Sequence, residues 1–280
     1  VKNMNQEVIK QFFLDNHNQF SPETVRAYKL ALSQFFTVCG KSVEDVKARD
    51  IRNWLEVMTN DGLQPRSIQL KLVALKSLYR YCMEENKINK NPTLKVVTPK
   101  KVDSLPYYLS KRQLATLQEH TKDDLRDRAI IETLYATGVR VTELLNIKLE
   151  DIKWETRQIT IRKGKGNKGR VVLFSHACAE RLERYLESRK YEGDYLFSNK
   201  RGQSISRDLV QTKFREYSET LGFKVSPHTL RHTFAANLAE KGMDFTYIQE
   251  LLGHSNINST RIYTRLMNPE RKKKYDQYQQ

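Results

Sequence analysis

One stretch constrains the architecture of this chain more than any other: Thr98-Pro99-Lys100-Lys101-Val102-Asp103-Ser104-Leu105-Pro106. It has no apolar periodicity. Each proline lacks a backbone donor and pushes the residue before it away from helical geometry, so neither a helix nor a strand ladder runs through the segment. Residues 98–106 therefore read as an extended linker. They divide the chain into residues 1–97 and residues 107–280, each long enough to bury a core of its own.

Residues 1–97 carry helical spacing throughout. Val8, Ile9, Phe12 and Phe13 give a first helix its apolar side, and Ser21-Pro22 opens a second with Val25, Tyr28, Leu32, Phe35 and Phe36. Ile51, Trp54, Leu55 and Met58 mark a third, closed by Asp61-Gly62. A fourth starts near Pro65 and aligns Ile68, Leu72, Leu75, Tyr79 and Cys82, with Lys76 and Arg80 on an adjoining flank. Residues 107–280 are also largely helical, with one change of period. Ile159 and Ile161, then Val171 to Leu173, alternate as two strands around the tip Lys163-Gly-Lys165-Gly-Asn-Lys168-Gly-Arg170. The expected fold is mostly α with a small antiparallel β-sheet in the second domain, an α+β class. The glycine-rich tip is no Walker loop, because that pattern needs Gly-Lys-Ser/Thr running into a helix and here a strand follows.

The chemistry concentrates near the C-terminus. Ser226 caps a helix with Pro227 at its first position, and His228 and Arg231, three residues apart, share one of its faces. A helix from Phe245 to Leu252 stops at Gly253, which puts His254 in a turn, and Tyr263 follows on a short helix. Two imidazoles, a guanidinium and a phenol in one compact segment suit a phosphodiester better than a carbonyl or a sugar. His232 reads as structural, facing elsewhere on its helix, and by composition Tyr247 or Tyr275 is no worse a candidate than Tyr263. Upstream, Gly138 breaks a helix and leaves Arg140 at a corner, one turn from Glu143. By themselves these two read as an exposed ion pair worth under about 1 kcal/mol. His228 and His254 lack a third ligand at zinc-site spacing, so no metal is expected.

Lys and Arg number 49 against 33 Asp and Glu, a formal charge of +16, which implies a polyanionic partner, nucleic acid first. Cys39, Cys82 and Cys178 are scattered and read as buried small side chains in a reducing compartment. No run approaches a membrane span, and Val1 to Glu7 lack a signal-peptide core, so a soluble, cytoplasmic protein is expected.

His-x-x-Arg, then Leu-Gly-His, then a tyrosine, preceded by Thr-Gly-x-Arg-x-x-Glu-Leu, resembles the motif set of the tyrosine recombinases, which include phage integrases and the bacterial Xer proteins. The resemblance covers nearly the whole chain and is most specific from Thr137 to Tyr263. It implies that Arg140, Lys165, His228, Arg231 and His254 are catalytic, with Tyr263 as the nucleophile. Lys163 and Lys168 are rivals to Lys165 and further DNA contacts. It implies a helical, SAM-like core-binding domain in residues 1–97, with Lys76 and Arg80 toward DNA, a catalytic domain in residues 107–280, and a two-domain C-shaped clamp. No cofactor, metal or ATP is implied, since arginines supply the charge and a 3′-phosphotyrosine keeps the energy of the broken diester. The implied assembly is a homotetramer on two paired double-stranded sites that exchanges strands through a Holliday junction, the tail after Asn268 docking on a neighbour. Without an additional arm-binding domain, resolution of dimers or transposon cointegrates leads over phage-type or conjugative-element integration. A type IB topoisomerase and a non-catalytic DNA-binding protein on this scaffold are the alternatives.

Overall fold

The computed structural model describes residues 2–97, 105–162, 169–253 and 262–267. Lys163, Lys165, Lys168 and His254 lie outside the described residues, as does the tail after Asn268. The chain divides into two compact units, Val1–Val102 and Asp103–Gln280.

Four helices, α1 (Lys2–Asp15), α2 (Pro22–Cys39), α3 (Ala48–Asn60) and α4 (Pro65–Glu84), enclose the core of the first unit. At the start of α2 the Ser21 hydroxyl accepts the Thr24 N–H at 3.2 Å while Pro22, at the first helical position, has no donor to satisfy. The apolar stripe of α4 is buried as its spacing predicts: Ile68, Leu72, Leu75 and Tyr79 face Leu32, Phe35 and Ile51. Each buried aliphatic side chain contributes about 2 kcal/mol relative to exposure, so this stripe helps hold the helices together. Trp54 meets Phe35 edge-on at 5.0 Å between ring centroids. Tyr79 keeps its polar end satisfied inside the core by donating to the Val43 carbonyl at 2.9 Å. Arg80 is exposed on α4 and Lys76 is half-buried.

The second unit runs α5 (Lys111–His120), α6 (Leu125–Thr137), α7 (Val141–Leu145), β1 (Ile152–Lys153), β2 (Gln158–Ile161), β3 (Arg170–Leu173), α8 (His176–Ser188), α9 (Arg207–Leu221), α10 (Pro227–Glu240) and α11 (Phe245–Leu252), then a 3-10 helix, Ile262–Met267. The strands form one antiparallel sheet in the order β1-β2-β3. Two strands are expected from the alternation and both are present. The third, β1, has only two residues and is too short to show a period. Ile159 pairs with Val172 and Ile161 with Arg170, so Arg170 lies on the same inward side of β3 as the buried Val172. α6 packs against both α8 and α10, which is why Ala129, Ile130, Ile131, Thr133 and Leu134 are all buried. Among the described residues no helix is long and apolar enough to cross a membrane.

Candidate active site

Gly138 ends α6 with φ of 63° and turns the chain toward α7. A β-carbon there would stand 2.4 Å from Cδ1 of Phe234 on α10, so the backbone angle and the close helix approach both require glycine. Two residues later Arg140 is the N-cap of α7. Glu143 closes that short helix: Oε2 accepts the Arg140 N–H at 2.8 Å and Oε1 accepts Nη1 of the same residue at 2.8 Å. The pair expected from sequence exists, but it is not a surface pair. The Glu143 side chain is only 3% exposed, and a second guanidinium, Arg170, grips its two oxygens at 2.9 Å each.

The C-terminus of α11 supplies the remaining acceptors. The Leu251 carbonyl accepts Nε of Arg170 at 2.8 Å, the Leu252 carbonyl accepts Nη2 of Arg231 at 2.7 Å, and the Gly253 carbonyl accepts Nη2 of Arg140 at 3.4 Å. Nη1 of Arg231 also donates to the Gly138 carbonyl. The last carbonyls of a helix have no partner inside it and form the negative end of its dipole. Three arginines from three different elements meet that need. Gly253, with φ of 61°, admits them closely, for a β-carbon would lie 2.9 Å from Cδ of Arg170.

Three guanidinium charges thus surround one carboxylate. Burial alone would raise the Glu143 carboxyl; the hydrogen bonds from Arg170 and the Arg140 backbone, with the charges of both arginines, hold it instead at about 2. Arg231, 5% exposed, is brought down to about 9 by its burial first and then by repulsion from Arg140 and Arg170, against the opposing pull of Glu143 and Tyr263. The cluster is short of negative charge, and an anion bound there would relieve it.

Tyr263, on the 3-10 helix, is 2% exposed in a small apolar cluster with Phe234, Ile248 and Leu252. Burial pushes its phenol above the ordinary range, and the neighbouring charge of Arg231 partly opposes this. Its hydroxyl bonds Nδ1 of His232. That corrects the expectation that His232 faces elsewhere. The 3-10 helix packs along α10, as do α6 and α11, so the side of α10 next to Arg231 is occupied rather than idle. His228, in the first turn of α10, is exposed. Tyr247 is 63% exposed.

Of the residues predicted from sequence, the structure gathers Arg140, Arg231 and Tyr263 in one site and sets His228 on the first turn of α10. Lys165 and His254 fall outside the described residues. Arg170 and His232 were not anticipated as members. A signal existed for Arg170, since strand alternation puts it on the inward side with Val172. His232 had none, because α10 is buried on nearly every side and its apolar pattern leaves no vacant face to read. Among the described residues no three His, Cys, Asp or Glu side chains could hold a metal ion.

Residues 107–269 match the model of the phage integrase family, and residues 9–86 match the phage integrase N-terminal SAM-like domain. The tyrosine recombinase XerC of Staphylococcus saprophyticus is 34% identical, over 94% of this chain and 93% of its own length. The tyrosine recombinase XerA of Pyrococcus horikoshii is 35% identical, over 94% and 90%. A solved structure of the XerH site-specific recombinase, bound to palindromic difH substrate in a post-cleavage complex, superposes with a TM-score of 0.75 at 25% identity, covering 91% of this chain and 80% of that one.

Proposed function

This chain belongs to the phage integrase family, the tyrosine site-specific recombinases, and from that premise we propose that it cuts and rejoins double-stranded DNA with Tyr263 as the nucleophile. The observation that carries this reading is the placing of Arg140 and Arg231 on adjacent carbonyls of α11 and Gly253, with the Tyr263 phenol within electrostatic reach of Arg231. Transfer of a phosphodiester builds negative charge on the non-bridging oxygens, and fixed cations stabilise it. Arg140 and Arg231 offer planar forks of donors to those oxygens. His228 stands by to assist proton transfer and His254 to donate to a non-bridging oxygen, while Lys165 protonates the departing 5′ oxygen. The product is a 3′-phosphotyrosine and a free 5′ hydroxyl, which a second strand reverses without ATP.

The expected outcome on a nicked duplex carrying the protein's own footprinted site is a covalent protein–DNA adduct whose modified peptide contains Tyr263. Its yield should be unchanged by EDTA. An adduct on another residue, or loss of cleavage with the chelator, would overturn this assignment.

We further place the first unit on the DNA backbone through Lys76 and Arg80, where cations displace condensed counterions. The protein then works as a homotetramer on two sites and resolves dimers or cointegrates through a Holliday junction, a reading supported by its likeness to Xer recombinases. A plasmid with two directly repeated sites should yield two circles, whereas relaxation of a site-free plasmid would favour the topoisomerase alternative. Deleting the residues after Asn268 is expected to weaken recombination several-fold while sparing single-site binding. Unchanged recombination would exclude a coupling role for that tail.

A further inference from the structure

We propose that His232 is a catalytic residue and that it, rather than His228, accepts the Tyr263 proton during strand cleavage. The inference rests on Tyr263 being the nucleophile and adds the base that serves it. Geometry carries it: the phenolic hydroxyl, the atom that must lose a proton, bonds Nδ1 of His232 directly, with the two rings 6.2 Å apart between centroids. His232 is fixed on α10 immediately after Arg231, whose guanidinium is tied to the Gly138 and Leu252 carbonyls. One turn of one helix therefore presents both the charge that attracts a phosphate and the imidazole that meets the attacking oxygen. The surroundings make an acceptor necessary. Tyr263 is buried in an apolar cluster, where no bulk water can take the proton and an isolated phenolate is costly.

The step balances. With the imidazole neutral and its own proton on Nε2, the Nδ1 lone pair takes the phenolic proton as the Oη–phosphorus bond forms. The phosphorus–O5′ bond breaks, its electron pair stays on O5′, and that oxygen takes a proton from the lysine assigned above. In religation the order reverses: the incoming 5′ hydroxyl gives its proton to the lysine amine, and the leaving phenolate recovers the one held by His232. The same residue acts as base in cleavage and as acid in rejoining, as microscopic reversibility requires.

The test measures single-turnover adduct formation on the nicked duplex with the full chain. His232→Ala is expected to slow it about 100-fold, in the usual range for removal of a general base, with site binding unchanged. Placing a ring-fluorinated tyrosine at position 263 lowers the phenol's need for a base. It should recover about tenfold of the loss in the His232→Ala background. His232→Asn retains a hydrogen-bonding atom near the Nδ1 position but no proton-accepting ring nitrogen, and it should be as slow as alanine; it also serves if alanine fails to fold. An adduct rate within about threefold of wild type in His232→Ala, full restoration by asparagine, or a loss that fluorination leaves untouched would each overturn the role of His232 as base. Adduct formation by Tyr263→Phe would instead overturn the nucleophile assignment, so the two failures are separable.

Discussion

Tyr263→Phe is expected to form no covalent adduct on a nicked substrate, a loss of at least about 10³-fold, while binding its DNA site as the unsubstituted protein does. The large effect follows from the proposed role of Tyr263, because the substitution removes the phenolic oxygen that would carry the phosphoryl bond. The small effect on binding follows from packing. The ring remains among Phe234, Ile248 and Leu252, the apolar volume is unchanged, and the structural cost is the single bond to His232, about 1 kcal/mol. Gel-shift titration and adduct trapping on the same preparation separate the two effects. A variant that no longer binds its site would show that the phenol is needed to hold the domain together rather than to attack.

The second large effect is expected at Glu143. Its carboxylate joins Arg140 to Arg170 and closes α7, so Glu143→Ala leaves mutually repelling guanidiniums around Arg231 without the charge they share. Breaking a buried ion pair by removing one partner costs about 3–5 kcal/mol. Adduct formation should also fall by at least about 100-fold as Arg140 loses its anchor. The pH dependence has a definite sign. The carboxyl is held at about 2, below its ordinary 4.5, so its contribution is complete above pH 4.5 and is lost as the pH falls through about 2. The interval between those values corresponds to about 3 kcal/mol. Urea unfolding should therefore show the gap between wild type and Glu143→Ala narrowing as the pH falls from 4.5 toward 2. Glu143→Gln, which keeps an acceptor but not the charge, should lie between them. A gap independent of pH over that interval would mean that the carboxylate's charge is not what holds the arginines.

What the amino-acid order alone determined was local and periodic. Ser21-Pro22 and Ser226-Pro227 mark helix starts, and each serine hydroxyl accepts the backbone N–H three residues on. Gly138 and Gly253 mark helix ends, and both are left-handed. These features were legible because capping depends on residues within one turn of each other. The order of Arg140, His228, Arg231, His254 and Tyr263 was legible as a motif set, and it pointed to the family to which the chain belongs. Tertiary structure alone decided how the site is held. Glu143 looks like half of a solvated pair until Arg170 arrives from β3, 27 residues away, and His232 looks idle until the 3-10 helix crosses α10, 31 residues on. The alternation of apolar residues records which side of a helix or strand is covered. It does not record what covers it, because partners distant in sequence are brought together only when the core closes.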